Sequence, residues 1–174
     1  LAAGANERER KHVAALDKWV RGEFSVALSV WEEILVDYPH DALAMFAAHQ
    51  TDFFLGQSGE LRDRVARRLS LVDACPDLQG YYRGMLAFGL EESGDYEGAE
   101  RAGREAVAQT RRDAWAIHAV AHVMEMTGRL DEGIAWLGER TADWAEDNFF
   151  AVHHWWHLAL FALEQGKPDE VLTL

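Results

Sequence analysis

Cysteine is nearly absent. Cys75 stands alone in 174 residues, so no intrachain disulfide can form and the stapled framework of a small secreted domain is excluded. A single thiol fits a reducing compartment, and a cytoplasmic setting is expected. Cys75 precedes Pro76 in an expected loop with no local catalytic signature, so it reads as an ordinary thiol. Proline is scarce as well, and one of the three, Pro39, falls where a helix has to stop. Positive charge is in short supply: 17 basic residues face 30 acidic ones, for a net charge of −13. That balance repels a phosphate backbone and argues against nucleic acid as a partner. Long apolar runs are missing. The longest, 149–163, carries three histidines and is too short to span a bilayer, so no membrane partner is expected. Residues 1–12 are polar and lack the apolar centre of a signal peptide. The chain opens on Leu1 and stops at Leu174 inside an expected helix, the pattern of a fragment of a longer protein.

What is present is helical and repetitive. Hydrophobic residues make up 49% of the chain, enough for one globular domain over 1–174. No run alternates strictly between apolar and polar residues, so no strand is expected. Glycines that end helices recur at Gly22, Gly56, Gly94, Gly128 and Gly166, with gaps of 34, 38, 34 and 38. A helix, a glycine turn and a second helix every 34 residues is the tetratricopeptide pattern. Seven residues before the glycines lie Ala15, His49, Ala87, Ala121 and Ala159, small residues where two helices approach closely, with His49 the exception. Five residues after them lie Ala27, Leu61, Ala99, Gly133 and Val171. Five hairpins follow, over about 8–39, 41–75, 79–111, 113–147 and an incomplete one from 148, with Asp41 and Asp113 as helix N-caps. The four extra residues in the second and fourth intervals predict an added turn or a longer loop there. The fold class expected is all-α, a right-handed superhelix of tetratricopeptide-like hairpins. The arginines of 62–68 and Arg101, Arg104, Arg111 and Arg112 read as a solvated outer face carrying i,i+4 pairs such as Arg101 with Glu105.

The residues that could carry chemistry lie in two histidine-rich stretches, 113–126 and 149–161. His118, His122 and Glu125 are spaced four and three apart, which puts them on one stripe of a helix. His153 and His157 are again four apart, with Trp156 beside them. In tetratricopeptide arrays the first helix of each hairpin lines the concave groove, and in this register Tyr81, Phe88, Glu91, His118, His122, Glu125, His153, Trp156 and His157 fall on or beside groove positions. Leu43, Phe46, Gln50 and Phe53 do the same in the second hairpin. Three readings follow. The imidazoles can be hydrogen-bonded interior groups. They can form an acid–base or ligand pocket oriented by a carboxylate. They can hold a divalent metal, with His118, His122, Glu125 and either His157 or His153 as candidate ligands, although HExxH is absent. No glycine-rich phosphate loop, G-x-S-x-G elbow or cysteine–histidine signature is present. His49 reads as a core histidine with Asp52 as its nearest partner, and His40 as a helix-start residue.

The segments 40–56, 82–91, 113–126 and 153–166 resemble the tetratricopeptide repeat protein 38 family, in the same order and over most of the chain. The resemblance implies a helical-repeat fold and no established reaction. The expected function is a helical-repeat scaffold that binds a protein, peptide or small ligand in its groove, with Glu91 and Glu125 favouring some positive charge on the partner. The alternative is an enzyme that uses the histidine and glutamate cluster, with or without a bound divalent metal. No organic cofactor is expected.

Overall fold

The computed structural model describes residues 4–174. Its described residues form helices joined by short turns, with no strand among them. None of these helices is long and apolar enough to cross a membrane. The chain divides into two compact units, Leu1–Leu78 and Gln79–Leu174.

The first unit holds α1 (Glu7–Val20), α2 (Phe24–Asp37), α3 (Ala42–Phe54), α4 (Ser58–Ala66) and α5 (Leu69–Val72). Helix α1 opens with a capping box, in which Asn6 accepts from the Glu9 amide and Glu9 accepts from that of Asn6. Asp41 caps α3 by accepting from the Ala44 amide, as its sequence position predicts. The interior is built from Ala15, Ala27, Ile34, Leu35, Ala44, Met45, Ala48, Leu61 and Val65, all at most 1% exposed.

Of the arginines in 62–68, Arg62 and Arg67 lie on the expected solvated face and two depart from it. Arg64 and Arg68 are buried. Arg64 donates from Nε and Nη2 to Asp52 at 2.7 and 3.2 Å, and both arginines also pair with Glu32. A guanidinium that leaves water needs such a set of acceptors, and the closest carboxylates come from α2 and α3, with Glu60 as a weaker i,i+4 partner of Arg64 at 3.8 Å. Asp52 is therefore not the partner of His49. That ring is fully buried and bonds the Leu61 backbone instead.

The second unit holds α6 (Pro76–Glu92) from its fourth residue onward, α7 (Tyr96–Gln109), α8 (Ala114–Met126), α9 (Leu130–Gly138), α10 (Thr141–Trp144), α11 (Ala151–Glu164) and α12 (Pro168–Val171). Helix α6 starts three residues before the expected 79, with Pro76 as its first residue, where a missing N–H costs nothing. Asp95 and Asp113 cap α7 and α8. The core joins α7, α8, α9, α10 and α11 through Val107, Ile117, Val120, Ala121, Met124, Trp136, Leu137, Trp144, Leu158 and Phe161. Gly133 is required by packing: a Cβ there would sit 2.4 Å from Cζ of Phe161. On the outer helices Arg104, and not Arg101, makes the i,i+4 pair, with Glu100 at 2.8 Å.

The repeat marker is the same in all five hairpins. Gly22, Gly56, Gly94, Gly128 and Gly166 have φ between 68 and 81°, the left-handed conformation that other residues avoid. The amide after each glycine reaches back five residues, from Glu23 to Lys18, Gln57 to Asp52, Asp95 to Leu90, Arg129 to Met124 and Lys167 to Ala162. That is the Schellman ending of a helix. The two longer intervals are spent as predicted, on the extra turns α5 and α10, each four residues long.

Candidate functional site

Helices α8 and α11 bring five histidines together. His118, His122, His153 and His157 each turn a ring nitrogen to one place, and these four atoms lie within 4.8 Å of one another. The i,i+4 spacing puts each pair on one face of its helix, and the packing of α8 on α11 brings the two faces together. His153 is the hub. Its Nε2 lies 2.8 Å from Nε2 of His118 and 3.1 Å from Nε2 of His157. The fifth ring, His154, is fully buried against Trp144 and Phe150, and neither of its ring nitrogens has a hydrogen-bond partner.

Two carboxylates stand behind the cluster. Glu125 faces Nδ1 of His157 at 2.8 Å, and that contact holds its carboxyl below the usual range. Glu91 lies 3.4 Å from Nδ1 of His122. Both acids thus stand beside imidazoles, and Glu125 keeps its negative charge there. Glu125 stands behind His157 and is not one of the four converging donors. Glu91 and Glu92 form a second group with His122, and burial together with Glu91 raises the pKa of Glu92.

The cluster is half interior and half surface. His118 and His157 are 3% and 1% exposed, while His122 and His153 are partly open. Burial, reinforced by the neighbouring rings, keeps His118 neutral well below the ordinary histidine range. The same causes bring His153 down to about 4. Nδ1 of His118 is buried without a hydrogen-bond partner, so its Nε2 contact with His153 is the ring's hydrogen bond.

The other expected groove residues divide in the same way. Phe88 is buried beneath the cluster, with its ring centroid 5.6 Å from that of His118. It is therefore a floor and not a groove wall. Trp156 stacks on His153 at 5.3 Å and is half exposed. Tyr81 is also half exposed, two turns before Phe88 on α6. Trp115, Phe150 and His154 were not singled out by the groove register, yet all three pack against His118. The aromatic run from 149 to 157 was the only available signal for the last two.

A surface depression lies elsewhere, in the first unit. It measures about 770 Å³ and is lined by Lys11, Glu32, Asp37, Glu60, Arg64 and Arg67 among others. Its charges pair with one another, and nothing in it is poised for chemistry.

No protein-family model matches the sequence. Solved structures do resemble the fold. The tetratricopeptide repeat protein TTC0263 of Thermus thermophilus aligns with a TM-score of 0.69 at 21% identity, over 95% of this chain and 87% of that one. Rap protein, solved in complex with competence and sporulation factor, gives 0.75 at 15% identity, over 96% of this chain and 51% of its own. YrrB, described as a tetratricopeptide repeat protein with an unusual peptide-binding site, gives 0.58 at 16% identity, over 94% and 80%. At these identities the likeness is one of fold: the chain is an all-α helical repeat of the tetratricopeptide type.

Proposed function

We propose that this chain is a helical-repeat binding module, and that within each of its two units the first helices of the hairpins carry a surface for a protein or peptide segment. The observation that carries the reading is the distribution of exposed apolar side chains. In the second unit Tyr81, Met126, Val152, Trp156 and Leu163 are exposed on α6, α8 and α11, with Phe149, Leu172 and Leu174 exposed outside them, whereas α7 and α9 contribute no exposed large hydrophobic residue. In the first unit Val13, Leu16, Trp19, Val20, Leu43, Phe46 and Phe54 are exposed on α1 and α3, against Val26 and Val36 on α2 and Leu71 on α5. Apolar surface kept open on one class of helix is the mark of an interaction face. In this reading Trp156 is an anchor, and His122, His153 and Glu125 supply polar contacts beside it. The peptide-binding site named for YrrB supports the same use of the fold. Membership of the tetratricopeptide repeat protein 38 family is part of the proposal, on the four sequence blocks above.

Acid–base catalysis has less to stand on. The His157–Glu125 pair has the right geometry, but its imidazole is 1% exposed, which leaves a substrate no approach to it.

The test is selection of peptides from a displayed random library on the immobilised protein, followed by fluorescence-anisotropy titration of the winners. Trp156→Ala and Leu163→Ser should weaken binding at least about tenfold, a loss of about 1.4 kcal/mol. Arg101→Ala, on α7, should leave it unchanged. Peptides whose affinity ignores Trp156 and Leu163 would defeat the proposed surface.

A further inference from the structure

We propose that His118, His122, His153 and His157 together bind one divalent transition-metal ion of the zinc class, with Glu125 and Glu91 behind them as the carboxylates that orient His157 and His122.

Geometry comes first. A tetrahedral ion held by imidazoles at about 2.0–2.1 Å separates its ligand nitrogens by about 3.3 Å. The four ring nitrogens lie within 4.8 Å of one another, and two of the separations are 2.8 and 3.1 Å. Small rotations of four side chains on two helices close the shell.

Protons come next. His157 donates from Nδ1 to Glu125, so its Nε2 carries a lone pair. Nε2 of His153 must then donate to it, and that spends the one proton His153 has there. Nε2 of His118, only 2.8 Å away, is left to share the same proton or to crowd a second lone pair against the first. His118 has no compensation at its other end, because Nδ1 is buried without a partner. Converging lone pairs short of protons are what a cation resolves.

Chemistry then narrows the ion. Four nitrogen donors suit zinc, copper, nickel or cobalt and do not suit magnesium or calcium, which take oxygen. Histidine ligands backed by carboxylates are the usual outer arrangement of such sites. Four protein ligands fill a tetrahedral shell and leave no open position, so the ion's role is structural: it ties α8 to α11. The inference is independent of what the exposed apolar surface binds, and the metal alone tests it.

Protein stripped with a chelator is titrated with zinc and, separately, with cobalt. The expected result is one ion per chain by elemental analysis, an intense visible absorption of tetrahedral cobalt, and a rise in melting temperature with zinc that a chelator reverses. His122→Ala and His153→Ala alter partly open side chains and should each abolish tight binding. Glu125→Gln should weaken it about 10- to 100-fold while leaving stoichiometry at one. His12→Ala, His40→Ala and Leu163→Ser should leave it intact. The proposal is overturned by wild-type protein that takes up neither ion, by cobalt with the weak spectrum of octahedral coordination, or by zinc affinity that survives both His122→Ala and His153→Ala. The wild-type titrations decide the matter even for a variant that fails to fold.

Discussion

His49 shows how one residue can set a pH response. It stands where the neighbouring repeats carry alanine, and it is fully buried with its pKa brought down to about 3, first by burial and then by Arg64. The unfolded chain takes up this proton near the ordinary histidine value of 6.5, whereas the folded chain refuses it until about pH 3. The unfolded state therefore binds more protons throughout that window, and stability is present above it and lost as pH falls. Melting of the wild type and of His49→Gln from pH 7.5 to 4 should show the wild type losing ground steadily below 6.5. A constant difference between the two would mean that His49 takes up its proton equally in both states. Asp52 acts through its partners. Burial holds its carboxyl above the usual range even beside Arg64, so the pair itself adds little net stability, but breaking it strands a buried guanidinium. Asp52→Ala should cost about 3 kcal/mol, the low end for a broken buried pair because Glu32 still holds Arg64. Urea titration measures it, and a loss under about 1 kcal/mol would place Arg64 in water. His49 and Asp52 also mark a limit of sequence reading: nearness in sequence suggested they were partners, and the fold gave each a partner from α4.

At the scale of elements, the turns and the close contacts are separate devices. The turn glycines stop one helix and start the next, and they were legible because a left-handed residue that also ends a helix is nearly always glycine. The contacts are made by small residues in register with those turns. Ala121 is fully buried in the core shared with Trp136 and Leu137 of α9. Ala121→Leu should overpack that contact and cost about 1–3 kcal/mol, read from the denaturant midpoint. An unchanged midpoint would mean the two helices are not seated there. Helices α8 and α11 belong to this scale too. Each pair of histidines was legible from i,i+4 spacing, but their convergence depends on how one hairpin packs on the next. His122→Ala, which removes a half-open ring, should lower stability by about 0.5–2 kcal/mol in the same titration. Outright unfolding would assign the whole stripe to the core.

For the whole molecule, charge and repeat count matter most. A net charge of −13 makes the folded chain repel itself, and surface ion pairs offset only part of that. Raising salt from about 10 mM to about 0.1 M shortens the screening length from about 30 to about 10 Å and should raise the melting temperature. A fall would show that ion pairs such as Arg129–Glu100 outweigh the repulsion. The sequence by itself determined the helical class, the positions of the hairpin turns, the two inserted turns and the face of each helix that carries histidine. These follow from local rules with periods of three to four residues or of one repeat. Only the tertiary structure decided that Glu91 and Glu125 face imidazoles, that Phe88 lies under the cluster, that Arg64 and Arg68 are interior, and that four ring nitrogens meet at one point. Most of these depend on side chains far apart in sequence meeting within hydrogen-bond or van der Waals distance. Helix packing, which no local pattern encodes, sets those distances.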